Sequence, residues 1–297
     1  MRNQDIKKAA LKTIAWFDLF DHPLTLSELH QYLYGVRANR EDLEKVLTDL
    51  IKFKVVSKKK KLFFLKGKRG LTKSWSRGRY FRSKKLAFLK KQVIPLLSRV
   101  PFLKFVGVTG SVAFGTARKN SDIDLFIITY PDKVWTARFF INWFLDQKNL
   151  RDPKSENKIC MNMLAPIDNL YFKPYFPKTY DKYYLATMIP IIGSGYEQVF
   201  NENLFIKRSF PNHKFKSGDI PLPWSITRKF LESILSGKLG DRFEKYIFQK
   251  QKKHIQKNTK KFGNEAVKIK KDLAKIHFIS LGNKYEGKYR DLLEKIL

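Results

Sequence analysis

The 297-residue chain holds one cysteine, Cys160. That scarcity excludes a disulfide framework and a cysteine-based zinc finger. Histidine is sparse as well: His22, His30, His213, His254 and His277 are scattered and show no ligand spacing. No apolar run approaches the ~18 residues that span a bilayer, so no membrane partner is expected. The N-terminal stretch MRNQDIKKAALKTIAWFDLFDHP carries acidic residues through its apolar part and lacks a small-residue cleavage site. It does not read as a signal peptide, and the expected location is the cytoplasm. No internal repeat is present. Acidic residues are also in short supply: 27 Asp and Glu face 60 Lys and Arg, a net charge of +33. Such an excess favours polyanions, namely nucleic acid, nucleotides or an anionic surface. Lysine far outnumbers arginine, however, and a lysine-heavy proteome gives the same surplus without any such partner.

What is present begins with a compact pattern over residues 1–66. NQDIKKAALKTIAWFDLF places Ile6, Ala9, Ala10, Ile14 and Phe17 at helical spacing, and DHPL breaks the helix at its proline. TLSELHQYLYG follows, with Thr25 as N-cap and Glu28 three residues on, the pattern of a capping box. NREDLEKVLTDLIKFK predicts a third amphipathic helix, and VVSKKKKLFFL two short strands around a lysine turn. Three helices followed by a basic hairpin resemble a winged helix. The resemblance implies nucleic acid as a partner, with Lys58–Lys61 against phosphates. Residues 67–82 predict a basic linker, in which Arg77, Arg79 and Arg82 alternate with Trp75, Tyr80 and Phe81 and are candidate phosphate contacts.

Residues 83–200 carry an α/β pattern. A helix over SKKLAFLKKQVIPLLSRV leads to the strand FVGVT, the turn Gly110-Ser111 and the strand IDLFIIT. A helix that is apolar nearly all round, DKVWTARFFINWFLDQKNL, is followed by the strand KICMNMLA, in which Cys160 is expected to be buried. Residues 201–297 predict a basic helical region. The chemistry concentrates in GSVAFGTARKNSDIDL, residues 110–125. Asp122 and Asp124 lie one residue apart in a strand and therefore share a face. Two carboxylates held side by side repel, and a cation between them relieves the repulsion. The Gly-Ser turn leaves backbone N–H groups and a hydroxyl where a phosphate can approach.

This combination of apolar strand, Gly-Ser, spacer and Asp-apolar-Asp resembles the signature of the DNA polymerase beta-like nucleotidyltransferase superfamily. The resemblance implies a nucleotidyltransferase fold with a mixed sheet, and transfer of a nucleoside monophosphate from an NTP to a hydroxyl acceptor. It implies Mg²⁺ or Mn²⁺ on Asp122 and Asp124. It also implies nucleotide contacts from Gly110 and Ser111, with Arg118 and Ser121 of the following loop as further candidates. Two departures stand out. Phe114 occupies the place where many members carry arginine before Gly115. Asn162, a candidate metal ligand, occupies the place of the third carboxylate and cannot act as a general base. Asp168 is the first candidate to replace that base, ahead of Asp152 and Glu156. The alternative function is a non-catalytic nucleic-acid-binding regulator whose nucleotidyltransferase fold senses nucleotide.

Overall fold

The computed structural model describes residues 2–68, 71–176, 178–262, 267–276 and 281–297. The N-terminal region forms α1 (Arg2–Asp18), β1 (Leu24–Thr25), α2 (Leu26–Gln31), α3 (Arg40–Lys52), β2 (Val56–Lys59) and β3 (Leu62–Leu65). Its three-stranded antiparallel sheet has the order β1-β3-β2. The expected capping box is present, because Thr25 Oγ1 accepts the Glu28 N–H at 3.2 Å and Glu28 Oε2 accepts the Thr25 N–H at 2.9 Å.

The segment expected as a linker is instead helical from Leu71 onward. Residues 71–88 form α4 (Leu71–Phe88), which runs through a π turn at Leu89–Val93 into α5 (Ile94–Leu97). Its glycine serves close packing rather than flexibility: a Cβ on Gly78 would lie 2.1 Å from the Gly115 carbonyl oxygen. Then follow β4 (Leu103–Thr109), α6 (Gly110–Phe114), β5 (Ile123–Thr129), α7 (Val134–Asp146), β6 (Ile159–Pro166), α8 (Thr179–Ala186), β7 (Ile189–Gly193), α9 (Tyr196–Glu202) and α10 (Leu204–Ser209).

The C-terminal region supplies more than helices. Besides α11 (Ile226–Leu235), α12 (Lys238–Phe262) and α13 (Leu281–Ile296), it forms β8 (Val267–Lys270) and β9 (Leu273–Ile276). Both join the main sheet, whose order is β7-β4-β5-β6-β9-β8. Only the β5–β6 pair is parallel among these strands, so the sheet is mixed. β9 pairs with β6 at Met163↔Lys275 and Leu164↔Ala274 and so covers an edge that would otherwise be open. The sequence signal for these strands is weak because VKIK and LAKI are short and lysine-rich. Among the described residues, no helix is long and apolar enough to cross a membrane.

Each face of the sheet carries its own core. On one face Val106, Val108, Leu125 and Ile127 pack with α5, α7 and α12. Glu244 of α12 caps the start of α7, its carboxylate accepting the Trp135 N–H at 2.9 Å and the Thr136 N–H at 2.6 Å. On the other face Phe105, Phe126, Ile128 and Met163 share one core with α1, α3, α8 and α10. The N-terminal region therefore does not stand apart. Trp16, 0 % exposed, stacks on Tyr183 with ring centroids 5.0 Å apart, and Phe114 packs against Phe17 and Phe20. Trp16→Ala should cost about 3–5 kcal/mol by emptying this seam. Because the core is shared, unfolding followed at the N-terminal helices and at the main sheet should shift together in urea. An unmoved sheet transition would show that the two regions unfold independently.

Candidate active site

β4 and β5 pair antiparallel with Thr109 opposite Asp124, so the strand end that feeds α6 lies beside the strand start that carries the carboxylates. Gly110 opens α6 at φ 65°, a left-handed conformation that glycine adopts without strain. A Cβ there would lie 2.0 Å from Asp124 Oδ2. The bare Cα thus lets the carboxylate and the start of α6 come together. No side chain caps α6, and the Thr109 hydroxyl instead donates to the Tyr184 hydroxyl at 2.7 Å. The first-turn N–H groups have no partner within the helix, an arrangement that suits an anion.

Asp122 and Asp124 share a face, as the period of two requires. Parallel pairing sets Asp124 beside Cys160, and the register then slips: Leu125 pairs with Met161 but Phe126 with Met163. Asn162 is the extra residue of this bulge, and its Nδ2 donates to Asp124 Oδ1 at 2.6 Å. Burial pushes the Asp124 carboxyl up, the Asn162 hydrogen bond opposes this, and neighbouring Asp122 adds to it; the outcome is about 7.

Asp122 has partners that sequence reasoning missed. Lys158 Nζ donates to Asp122 Oδ2 at 2.8 Å, and Cys160 Sγ lies 3.3 Å from the same oxygen. Burial opposes the Lys158 charge, but the hydrogen bond to Asp122 and the charges nearby outweigh it, and the net shift is upward. Cys160 is half-buried rather than enclosed in the core, and burial together with Asp122 pushes its thiol up to about 12. A lysine two residues before a strand cysteine leaves no sequence signal. Its reach to Asp122 depends on the parallel β5–β6 pairing.

The remaining candidates separate. Asp168 is exposed in the turn beyond Pro166, at the far end of β6 from the strand start beside Asp124, and no hydrogen bond or ion pair links it to Asp122 or Asp124 among the described residues. Glu156 pairs with Lys119 at 3.0 Å, and Asp152 accepts the Lys154 N–H at 2.8 Å; neither touches Asp122 or Asp124. Ser121 Oγ accepts the Arg118 N–H at 2.8 Å and thereby shapes the loop. The Arg118 side chain is exposed and lines a cavity of about 790 Å³ with Arg77 and Tyr80, making no hydrogen bond or ion pair among the described residues. Buried Lys85 ties the loops on either side of the site together, donating to the Lys119 carbonyl at 2.9 Å and the Glu156 carbonyl at 2.7 Å.

The donor set is two carboxylates and an amide, all hard oxygen ligands. Among the described residues, no three His, Cys, Asp or Glu side chains form a metal cage. Magnesium does not require one, since it commonly takes one or two carboxylates and completes its shell with phosphate and water. Asp124, raised toward neutrality beside a second carboxylate, is a group that a cation would return to its charged form.

The same shift sets a pH dependence for the metal-free protein. With Asp124 raised to about 7 in the fold, the native state binds more protons than the unfolded chain above an ordinary carboxyl pKa. Stability contributed by its neutral form is therefore lost as pH rises from about 4 through 7. In chelator, Asp124→Asn should melt higher than wild type at pH 8, and the difference should shrink toward pH 4. Parallel melting curves across that range would place the Asp124 pKa near that of an ordinary carboxyl.

No curated protein and no solved structure matches the chain. A family model does match, over residues 89–162, a span that opens in the π turn before α5, contains Gly110, Ser111, Asp122 and Asp124, and ends at Asn162. Its boundaries hold the residues that the fold brings together and leave out Asp168. The model that residues 89–162 match is that of a nucleotidyltransferase domain, and the activity class that the match supports is nucleotidyl transfer.

Proposed function

We propose that the protein transfers a nucleoside monophosphate from an NTP to a hydroxyl acceptor, with Asp122 and Asp124 holding Mg²⁺ or Mn²⁺. The observation that carries this reading is the abutment of Gly110 on Asp124, which sets the start of α6 beside the carboxylate pair. Nucleotidyltransferase domains usually use divalent ions. A metal on the pair would neutralise phosphate charge and orient the triphosphate. Ser111 and the first-turn N–H groups would hold the phosphates, and Asn162 would steady Asp124. Lys158 is placed to compete with a metal for Asp122 when nucleotide is absent. A second reading, a nucleotide-binding regulator without transfer, is favoured by that ion pair and by the amide of Asn162 where a base would stand.

Labelled triphosphates incubated with the protein and a cell extract test both readings. Asp122→Asn and Asp124→Asn should abolish transfer while the fold persists. Asn162→Asp should raise transfer, since a positioned general base contributes ~10²–10⁴-fold. Undiminished transfer in both aspartate variants would overturn the assignment. No transfer by wild type, with Mg²⁺-dependent nucleotide binding that Asp122→Asn loses, would establish the regulator.

The N-terminal hairpin is proposed to contact nucleic acid. Lys58, Lys59, Lys60 and Lys61 are all exposed around its turn, whereas the exposed face of α3 mixes Arg40 and Lys45 with Glu41, Glu44 and Asp49. Replacing the four lysines with serine should flatten the log–log salt dependence of duplex DNA binding by about 0.9 for each phosphate no longer neutralised. An unchanged slope would show that the turn meets no phosphate.

A further inference from the structure

α4 carries Arg79 and Arg82 three residues apart, hence on neighbouring positions of one helix face. Both line a cavity of about 440 Å³ that lies between the N-terminal helices, the end of α6 and the start of β7. Lys214 and Lys216 line it too, and Glu28 is the one acidic side chain among its described lining residues. Glu28 is already engaged: one oxygen serves the Thr25 cap and the other lies 3.6 Å from Arg79. Arg82 makes no ion pair or hydrogen bond among the described residues, though burial and the nearby charge of Arg79 press its pKa down.

His22 reinforces the case. It is 3 % exposed, lines the same cavity, and its Nδ1 has no hydrogen-bond partner among the described residues. Gly115 brings the end of α6 close to both side chains: a Cβ there would lie 3.1 Å from His22 Cε1 and 3.8 Å from Arg82 Nη1. Four cations against one carboxylate, with two guanidinium forks on adjacent positions, match an anion of more than one charge. Guanidinium forks fit phosphate oxygens in pairs.

We propose that this cavity is a second ligand site, distinct from the Asp122–Asp124 pair, which binds a small phosphate-bearing anion on Arg79 and Arg82 without a metal. The source is either an inorganic phosphate chain or the phosphates of a mononucleotide. Because Ala113 and Phe114 of α6 form part of the wall, a ligand there would press on the helix that begins at Gly110. The site stands independently of the transfer reading.

Calorimetric titration of the full chain in EDTA tests it, with pyrophosphate in one arm and ADP in another. EDTA keeps a metal-dependent nucleotide site silent. Arg79→Gln/Arg82→Gln should weaken binding tenfold or more, and Asp124→Asn should leave it unchanged. Glu28→Gln should tighten it, because the competing charge is gone while a cap acceptor remains; general destabilisation would not produce that sign. In wild type, the His22 ring resonances should shift on addition of the anion, a readout that needs no variant to fold. Tighter binding of ADP than of pyrophosphate would mark the nucleotide as the source, and the reverse order the free phosphate chain. The proposal is overturned if neither anion binds at millimolar concentration, or if the double variant binds as wild type does. It is equally overturned if Asp124→Asn abolishes binding, or if only a single-stranded oligonucleotide binds.

Discussion

Asp124 can sit where it does because residue 110 has no side chain. Its carboxylate lies where a Cβ of residue 110 would be, and the positive φ of Gly110 turns the chain from β4 into α6 at that same point. One atom's absence therefore sets both the backbone direction and the approach of the carboxylate. Any larger residue would have to push Asp124 away or unwind the turn. The rest of the site is arranged around that contact: Asn162 holds the other oxygen of Asp124, and Lys158 occupies Asp122.

The surroundings of α6 are built for rigidity. Phe114 lies within the aromatic seam formed by Phe17, Phe20, Trp16 and Tyr183, so the short helix is anchored by a core that it shares with the N-terminal region. The signature that this motif resembles often has arginine at that position. Here its charge is exchanged for packing, and cations enter the neighbourhood from α4 instead, through Arg79 and Arg82. A five-residue helix has little stability of its own, and tertiary contacts supply what helix propensity cannot.

The opposite side of the sheet is closed from the C-terminal end of the chain. β9 covers the free edge of β6, and α12 lies across α7 with Glu244 satisfying two N–H groups that the first turn of α7 leaves open. β6 consequently has neighbours on both sides, which steadies the strand whose bulge aims Asn162. Order at the site thus depends on residues more than a hundred positions away.

The sequence by itself determined the parts whose physics is local. The period of two placed Asp122 and Asp124 on one face, the glycine marked the turn, and the capping box, the first three helices and the lysine hairpin followed from short-range patterns. The mixed sheet was implied by the resemblance of the motif to the nucleotidyltransferase signature. Tertiary structure alone decided the partners of those residues. Lys158 meets Asp122 only because β5 and β6 run parallel, and Asn162 reaches Asp124 only because a bulge shifts the register. Asp168 leaves the site because β6 carries it to the other end of the sheet, although it is close to Asn162 in the chain. The basic stretch before the domain is a helix although its glycine, serines and aromatics lower helix propensity, and Gly78 packs it against the backbone of Gly115. VKIK and LAKI became strands because β6 offered an open edge to pair with. Local chemistry is written in short windows of sequence, whereas a register or a shared core exists only once distant segments have met.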